Sequence, residues 1–230
     1  MLALVSNFDA RSPAMSPTTP TVFIVDDDAS VRESLDALVQ YAGWRCETFK
    51  TAREFLLTPS ASGPSCLLLD VGLPDLNGLE LQERIGSDRS DMPIIFITGN
   101  CDIPVTVKAM KAGAIEFLVK PLSKETLLVA MRNAIARSAA QRDLNAAEAA
   151  LRARYASLTS REREVMKLVT AGMLNKQVGG ELGITEITVK AHRGRVMQKM
   201  QARSLADLVK MTWGLNLAPA ERQGYHEQEE

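Results

Sequence analysis

Apolar and polar residues follow one another in the first half of the chain in a pattern that predicts strands and helices in turn. Short apolar or β-branched runs predict five strands, and a segment with apolar residues at helical spacing follows each of them. Because strands that alternate with helices pair in parallel, we expect an α/β fold, a five-stranded doubly wound parallel sheet. The predicted strands are Thr21–Val25, Arg45–Phe49, Cys66–Asp70, Pro93–Thr98 and Glu116–Lys120.

Helix boundaries can be predicted at two places in this half. Ser30 is the predicted N-cap of the first helix, which Gly43 ends. From Ser123 to about Arg154 the helical pattern continues without Gly or Pro. We therefore expect the fifth helix to continue as a linker, either as part of a coiled coil or as a solvated spacer.

The pattern after the linker is helical only. Amphipathic segments are predicted at Ser160–Ala171, Lys176–Leu182, Glu186–Met200 and Ser204–Trp213. Thr159 or Ser160, followed by a glutamate, predicts a capping box before the first of them. Short helices joined by a turn that contains glycine follow the helix-turn-helix plan, so this region is predicted to be a small all-α domain.

Charge divides the chain at the same place. Residues 21–122 hold nine Lys and Arg against fifteen Asp and Glu, whereas residues 157–213 hold ten against five. An acidic domain suits cations, and a basic domain suits phosphates. The predicted organisation is an N-terminal arm (1–20), an α/β domain (21–136), a helical linker (137–156), a helical domain (157–213) and a polar tail (214–230).

Composition excludes several classes of protein. Apolar residues make up 46% and charged residues 24% of the 230, as in ordinary globular proteins. The apolar runs are far shorter than the roughly 20 residues that span a bilayer, and no secretory signal is recognised. The three cysteines are expected to be reduced, so we expect a cytoplasmic protein with no membrane association; Met15 is a possible alternative start. The cysteines are Cys46, Cys66 and Cys101.

Five polar residues stand at the ends of predicted parallel strands, where such sheets build their sites. Clustered carboxylates repel one another and favour a hard divalent cation such as Mg²⁺ (or Mn²⁺), which also draws in a phosphoryl group. Asp70 is the best nucleophile because it ends the central strand, while the lysine and the threonine can bind phosphoryl oxygens. The five residues are Asp26, Asp27, Asp70, Thr98 and Lys120.

The strings VFIVDDD, LLLDVGLPDLNG, IFITGN and FLVKP resemble the receiver domain of two-component response regulators over about residues 21–136. The resemblance implies a CheY-like fold with Asp70 as phospho-acceptor and a sensor histidine kinase as its phosphodonor. It assigns metal binding to Asp26, Asp27, Asp70 and the carbonyl of Gly72, switching to Thr98 and Phe117, and phosphate pairing to Lys120. It assigns no metal role to Asp28, which is therefore interpreted as a loop charge. It also implies that the phosphorylated form is a homodimer.

Two glycines next to these residues motivate a hypothesis about lifetime. Gly72 and Gly99 place no side chain over a phosphoryl group on Asp70. Water should then reach the acyl phosphate easily, so we expect Asp70 to lose its phosphoryl group quickly.

The segment Glu186–Met200 separates into two faces at 100° per residue. Val189, His192, Val196 and Met200 are predicted to pack inward, with His192 as a structural residue rather than a metal ligand. Arg193 lies nearer the packed side and is assigned to a phosphate or an interdomain contact. Small and basic residues on the outer face suit a DNA major groove. These are Ile187, Lys190, Ala191, Gly194, Arg195 and Gln198, with Thr188 at the margin.

The string LTSREREVMKLVTAGMLNKQVGGELGITEITVKAHRGRVMQKM resembles the LuxR/FixJ-type output domain over about residues 153–218. The resemblance implies that Lys176 joins the outer face just described in binding DNA. The chain departs from the family pattern at Gly179 and Gly180, inside a helix where alanine is more usual, and at Gly194. Because each interior glycine costs about 1 kcal/mol, we infer a marginally stable isolated domain.

Together these features predict a phosphorylation-dependent transcriptional regulator that binds promoter DNA and works with RNA polymerase. Its only chemistry would be Mg²⁺-dependent self-phosphorylation and dephosphorylation at Asp70. Three alternatives remain open. They are an aspartyl-phosphate phosphotransferase or phosphatase, a ligand-sensing LuxR-type regulator, and a signalling scaffold that does not bind DNA.

Overall fold

The computed structural model describes residues 19–86, 88–99 and 102–215. Within them, strands and helices alternate up to the fifth strand, and helices follow from there on. The strands are β1 (Thr21–Val25), β2 (Arg45–Phe49), β3 (Ser65–Asp70), β4 (Ile94–Thr98) and β5 (Glu116–Val119). The helices are α1 (Ala29–Tyr41), α2 (Ala52–Leu56), α3 (Gly78–Ile85), α4 (Ile103–Lys111), α5 (Lys124–Ala156), α6 (Ser160–Thr170), α7 (Asn175–Leu182), α8 (Glu186–Met200) and α9 (Leu205–Gly214).

The five strands form one parallel sheet in the order β2-β1-β3-β4-β5. This confirms the predicted doubly wound fold. β1, β3 and β4 are buried along their whole length, as expected of strands covered on both faces. All five strands end at the same edge of the sheet, with β3 between β1 and β4, so the residues that end β1, β3 and β4 lie side by side.

Alternate residues of each strand face opposite layers. Phe23, Leu67 and Phe96 belong to one buried cluster, which also includes residues of α2, α3 and α4. Ile24 and Leu68 belong to a second cluster, completed by residues of α1 and the first part of α5. This period of two is the usual consequence of a pleated strand. It explains why the buried strands have nearly continuous apolar sequences.

The boundaries differ slightly from the sequence-based prediction, and the first helix has a different cap. β3 begins one residue earlier than predicted, β4 begins at Ile94, and β5 ends one residue before Lys120. The N-cap of α1 is Asp28 rather than Ser30, because the Asp28 carboxylate accepts hydrogen bonds from the N–H groups of Ser30 and Val31. The interpretation of Asp28 as a mere loop charge was therefore wrong.

The chain divides into two compact units, the first ending at Arg142 and the second beginning at Asp143. The fully buried Ser138 hydroxyl of α5 donates to the Asp91 carbonyl at 2.6 Å and accepts from the Ser65 N–H at 3.0 Å. One turn later, Arg142 donates to the Asp91 carboxylate at 2.6 Å. These bonds fasten residues 138–142 of the predicted linker to the first unit.

The second unit contains α6 to α9 and the last part of α5. Thr159 and Glu162 form the predicted capping box at α6, and Gly183 ends α7 in the left-handed conformation at φ 64°. The almost completely buried Glu162 carboxylate accepts a hydrogen bond of 2.6 Å from Lys199 of α8. This hydrogen bond lowers the pKa of Glu162 below its ordinary value although burial opposes the change. It ties the start of α6 to the end of α8.

Some predictions lie outside the described residues. They concern residues 1–18 of the N-terminal arm, the possible start at Met15, Cys101 and residues 216–230 of the tail. Cys46 and Cys66 are free thiols. Burial raises the pKa of Cys66 to about 12, and burial together with a hydrogen bond to Asp36 raises the pKa of Cys46, so both thiols are protonated at neutral pH.

Candidate functional site

Three of the predicted residues meet at the carboxyl edge of the sheet. The Lys120 ammonium lies 2.8 Å from Asp26 Oδ2 and 3.2 Å from Asp70 Oδ1. Asp26 is 2% exposed and Asp70 is 8% exposed, so both carboxylates are buried beside one cation. Two carboxylates and one ammonium leave a net negative charge in the pocket. The strand ends therefore gather the predicted nucleophile and the predicted phosphate-pairing lysine.

Backbone groups fix the orientation of both carboxylates. The Gly72 N–H donates to Asp70 Oδ2 at 2.6 Å, and the Asp28 N–H donates to Asp26 Oδ1 at 2.9 Å. The guanidinium of Arg32 donates to the Asp26 backbone carbonyl at 2.7 Å. Sequence reasoning did not find Arg32, because its position on α1 carries no signal that it folds back onto β1. Asp70 thus keeps Oδ1 towards the ammonium while Gly72 holds Oδ2.

Thr98 ends β4, the strand next to β3, and Phe117 lies on β5, where it pairs with Phe96 of β4. Thr98 is buried at the end of β4, and its carbonyl accepts a hydrogen bond of 2.8 Å from the Lys120 N–H. Phe117 is half-buried in β5, with its ring centroid 6.0 Å from that of Phe96. The structure therefore links Lys120, through its backbone, to the threonine predicted to bind the phosphoryl group.

The acidic cluster is less complete than the sequence suggested. Asp27 is exposed, and among residues 19–86, 88–99 and 102–215 no group of three or more Asp, Glu, His or Cys side chains is arranged to hold a metal ion. The reason is that the Lys120 ammonium contacts the two buried carboxylates while Asp27 faces solvent. These oxygen ligands still fit a hard divalent cation. The carboxylates of Asp26 and Asp70 carry more negative charge than the single Lys120 ammonium neutralises, and the Asp27 carboxylate follows Asp26 directly.

The electrostatics of Lys120 agree with this arrangement. Partial burial tends to lower the pKa of its ammonium, but the hydrogen bond and charge of Asp26, followed by those of Asp70, raise it above its ordinary value. Lys120 is therefore fully charged at neutral pH. A fixed positive charge next to a carboxylate nucleophile attracts an incoming phosphoryl group.

A second group of predicted residues lies on α8 in the helical unit. Val189, Val196 and Met200 are almost completely buried and His192 is half-buried, as the helical periodicity predicted. Val189 packs with Val165, Val169 and Val178, whereas Val196 and Met200 pack with residues of α6 and α9. One face of α8 is thus fully used in holding the helix-turn-helix together.

The opposite face of α8 is open to solvent. Ile187 is 79% exposed, the highest fraction among the exposed large apolar residues between 143 and 215, and Thr188 at the margin is half-buried. Lys176, near the start of α7, is also exposed. The exposed residues of α8 include Ile187, Lys190, Ala191, Gly194, Arg195 and Gln198. Their exposure agrees with the prediction, and their contact with DNA stays a prediction.

Several polar groups of α8 already have partners within the unit. Lys190 lies 2.9 Å from Glu186 in an exposed ion pair, and the hydroxyls of Thr185 and Thr188 are 2.8 Å apart. Arg193 donates to the Asn175 amide oxygen at 3.2 Å. Arg193 thus has a partner on α7 within its own unit, and its assignment to a phosphate or an interdomain contact stays a prediction.

The two adjacent glycines of α7 differ in their surroundings. A Cβ atom at Gly179 would lie 2.8 Å from the Ile184 backbone carbonyl, whereas one at Gly180 would meet nothing within 4 Å. Gly179 is therefore required by the close approach of α7 to the turn before α8. The departure from the family pattern at Gly179 therefore has a packing reason, because a larger residue there would contact the backbone of the turn.

The helices that the structure describes include none with the length and apolar character needed to cross a membrane. The longest, α5, contains many charged residues along its 33 positions.

Family profiles match both halves of the chain. The profile described as "Response regulator receiver domain" matches residues 22–132, and the profile described as "Bacterial regulatory proteins, luxR family" matches residues 156–212. The first match contains all the predicted strand-end residues, and the second contains α6 to α8 and most of α9.

Curated relatives and solved structures match over most of their length. Nodulation protein W of Bradyrhizobium diazoefficiens is 47% identical over 87% of this chain and 88% of the relative. Response regulator protein TmoT of Ectopseudomonas mendocina is 43% identical over 86% of this chain and 90% of its own length. The structure of the response regulator StyR is 46% identical, with a TM-score of 0.78 over 85% of this chain and 99% of that one.

Proposed function

This chain belongs to the two-component response regulators that join a receiver domain to a LuxR-type DNA-binding domain, and we propose that phosphorylation of Asp70 controls its binding to promoter DNA. Membership makes it a DNA-binding transcriptional regulator of a two-component system. The observation that carries the proposal is the Lys120 ammonium in contact with both Asp26 and Asp70.

Asp70 is the proposed nucleophile. One of its carboxylate oxygens attacks the phosphorus of a phosphohistidine on a sensor kinase, the bond from phosphorus to the imidazole nitrogen breaks, and an acyl phosphate forms. Lys120 pairs with one phosphoryl oxygen, and the Thr98 hydroxyl donates to another. The Gly72 N–H, 2.6 Å from Asp70 Oδ2, holds the carboxylate in place for the attack.

A divalent cation, Mg²⁺ or Mn²⁺, is the proposed cofactor. Asp26, Asp27, Asp70 and the Gly72 carbonyl would hold it. When bound, it supplies positive charge that screens the phosphoryl oxygens from the carboxylates. The chain's own share of this screening is the Lys120 ammonium, which neighbouring carboxylates keep charged.

The protein is not proposed to turn over an external substrate. Its chemistry would consist of accepting a phosphoryl group and losing it to water. A Cβ atom at Gly99 would meet nothing within 4 Å, and one at Gly72 would lie 3.3 Å from Asp70 Oδ2. The absence of a side chain at these two positions next to Asp70 supports the hypothesis of a short phosphoryl lifetime.

Signal transmission is proposed to start at Thr98 and Phe117. When Thr98 turns towards a phosphoryl oxygen, Phe117 follows and the surface of α4 and β5 changes shape. That surface carries exposed apolar side chains, and burying such side chains favours association. We propose that the phosphorylated form is a homodimer through this surface. The exposed side chains are Ile103, Val107, Met110 and Val119.

The output unit is proposed to bind double-stranded DNA with α8 in the major groove. The residues assigned to DNA are Lys176, Ile187, Thr188, Lys190, Ala191, Gly194 and Arg195. Two linked output units place two helices on neighbouring half-sites, which raises the affinity without new base contacts. Promoter-bound dimers would then act with RNA polymerase in the cytoplasm. The domain boundaries at 136 and 157, and the role of the linker between them, belong to the same proposal.

The test compares the full chain with Asp70→Asn and with Asp36→Asn, a matched change at an α1 carboxylate that bonds Gln40. Each protein receives acetyl phosphate and Mg²⁺. Sedimentation then reports dimerisation, and a shift assay at several salt concentrations reports binding to DNA obtained by in vitro selection. We expect phosphodonor-dependent dimerisation and tighter binding for the parent and Asp36→Asn, and neither for Asp70→Asn.

Two outcomes would contradict the proposal. Normal donor-dependent dimerisation of Asp70→Asn would remove Asp70 as the phospho-acceptor. A lack of salt-dependent DNA binding would favour a scaffold that does not bind DNA, because phosphate contacts make the affinity of a DNA-binding protein fall steeply with salt. Mapping of bound promoters in cells with and without Asp70 would extend the same comparison to the genome.

A further inference from the structure

The first turn of α8 exposes a large aliphatic side chain to solvent. Ile187 is 79% exposed, while the next apolar residue of the helix, Val189, is completely buried. We propose that Ile187 reads a thymine by contacting its C5-methyl group in the major groove. The proposal rests on the DNA-binding role proposed above for α8, and it adds the base and the chemical group that one residue recognises.

The fold of the unit does not explain Ile187. It belongs to neither of the two buried apolar clusters of the helical unit, whereas Ile184, three residues earlier, packs against the cluster around Val189. A β-branched residue also has a lower helix propensity than alanine, leucine or lysine. An exposed isoleucine at this position therefore brings no packing to the isolated domain and slightly disfavours its helix.

The polar side chains around Ile187 are engaged with one another. Glu186 pairs with Lys190 at 2.9 Å, and the Thr188 hydroxyl lies 2.8 Å from that of Thr185, the N-cap of α8. These contacts give the two polar side chains next to Ile187 partners within the unit, although the ion pair remains exposed. Beside them, the Ile187 side chain forms an exposed apolar surface on the first turn of α8.

Two of the three residues in line with Ile187 along α8 have little or no side chain, which lets a partner come close to the helix. Ala191, Gly194 and Gln198 follow Ile187 at helical spacing, so they lie on the same side of α8. A Cβ atom at Gly194 would meet nothing within 4 Å, so none of the described residues covers the helix there. A major groove can therefore approach the α8 backbone closely enough for Ile187 to contact the base edges.

The chemistry of the groove selects the ligand. Base pairs present hydrogen-bond donors and acceptors in the major groove, and the one apolar group among them is the C5-methyl of thymine. An aliphatic side chain gains nothing from the donors and acceptors, but it gains from removing a methyl group from water. Ile187 should therefore favour thymine at one position of each half-site.

The experiment first selects a DNA site with the phosphorylated full-length protein and then replaces each thymine of one half-site by deoxyuridine, one at a time. This change removes a single methyl group and keeps every hydrogen-bonding group. For the parent protein we expect one position where affinity falls about fourfold, the factor that corresponds to burying one methyl group. At the other positions we expect no comparable loss.

Three variants assign the effect to the side chain. Ile187→Ala should bind the thymine site about fourfold more weakly and should not distinguish deoxyuridine at the sensitive position. Ile187→Val, which keeps two methyl groups, should still distinguish them. Lys176→Ala should weaken binding to both DNAs equally and keep the ratio. Because Ile187 and Lys176 are both exposed, we expect all three variants to fold normally, which circular dichroism checks.

The outcomes separate this inference from the proposed function. If the parent binds its selected site in a salt-dependent manner but no thymine-to-deoxyuridine change weakens it, the reading of thymine by Ile187 is overturned while DNA binding stands. The inference is equally overturned if Ile187→Ala keeps the sensitivity of the parent. If the parent selects no DNA, the proposed function fails and the inference fails with it.

Discussion

The two adjacent glycines of α7 allow a prediction in which the same substitution has opposite effects. Gly179→Ala and Gly180→Ala each replace glycine by the best helix former inside one short helix. At Gly180 the added methyl group meets nothing within 4 Å. At Gly179 it would lie 2.8 Å from the Ile184 carbonyl oxygen, a backbone atom in the turn between α7 and α8.

The magnitudes follow from helix propensity and overpacking. Alanine in place of helical glycine stabilises by about 1 kcal/mol, so Gly180→Ala should raise the free energy of unfolding of the output unit by up to that amount. Overpacking costs about 1–3 kcal/mol. The upper end applies to Gly179, because the Ile184 N–H donates back to the Gly179 carbonyl at 3.0 Å and keeps the turn in place. Gly179→Ala should therefore lose about 2 kcal/mol net.

The assay is denaturant unfolding of the full chain, with hydrogen exchange of the α8 amides assigning the transition to the output unit. The two variants should differ by about 3 kcal/mol, which in a unit of this size corresponds to a difference of about 10 °C or more in Tm. If Gly179→Ala proved as stable as the parent, the argument from the close approach of α7 to the turn would be refuted. A Gly180→Ala variant less stable than the parent would also contradict it.

Three further predictions concern the lifetime of the phosphoryl group, the hydrogen bonds of Ser138 that hold α5 to the first unit, and stability in acid. Replacing Gly72 by valine should lengthen the half-life of the phosphoryl group on Asp70, measured by loss of label; an unchanged half-life would discard the shielding hypothesis. Ser138→Ala should lower the free energy of unfolding of the first unit by about 1–3 kcal/mol in denaturant titrations, since it leaves the buried Ser65 N–H at the start of β3 unpaired. A loss below about 0.5 kcal/mol would contradict this prediction. The lowered pKa of Glu162 means that its stabilising contribution is present above its ordinary pKa and is lost as pH falls through the lowered value. The output unit should therefore lose stability on acidification, and Lys199→Ala should flatten this pH dependence. If the free energy of unfolding changed with pH in the same way in the parent and in Lys199→Ala, the pair would not be its cause.

The sheet and its site could be predicted from the sequence because they depend on local patterns and on one topological rule. Apolar runs identify buried strands, and parallel strands end at one edge, so Asp26, Asp70 and Lys120 had to lie near one another. The contact of Lys120 with both carboxylates confirms this juxtaposition. The same rule could not foresee that Asp27, although adjacent to Asp26, faces solvent.

Caps were harder to predict, because several suitable residues compete over a few positions. Asp28 and Ser30 are both good N-caps, and only the backbone conformation decides that Asp28 accepts the bonds. Asp75 gives a stronger example, since its carboxylate accepts hydrogen bonds from the N–H groups of Ala52 and Arg53, more than twenty residues away. Although burial opposes it, these bonds lower the pKa of Asp75, and no local pattern indicates them.

Helix periodicity predicted which face of α8 packs inward, but it could not assign residues near the border between the faces. Arg193 lies at this border, and its contact with Asn175 depends on the angle between α7 and α8. The need for glycine at Gly179 also depends on that packing rather than on α7 itself. Sequence patterns thus identify faces, whereas contacts between neighbouring helices require the structure.

The most direct measurement of the central claim is the chemical state of Asp70 after treatment of the full chain with acetyl phosphate and Mg²⁺. Intact mass should show one added phosphoryl group that hydroxylamine removes, and borohydride reduction followed by peptide mapping should place it on Asp70. The Asp70→Asn chain, treated in the same way, should gain none. A folded parent protein that acquires no labile group, or acquires it at another carboxylate, would contradict the account.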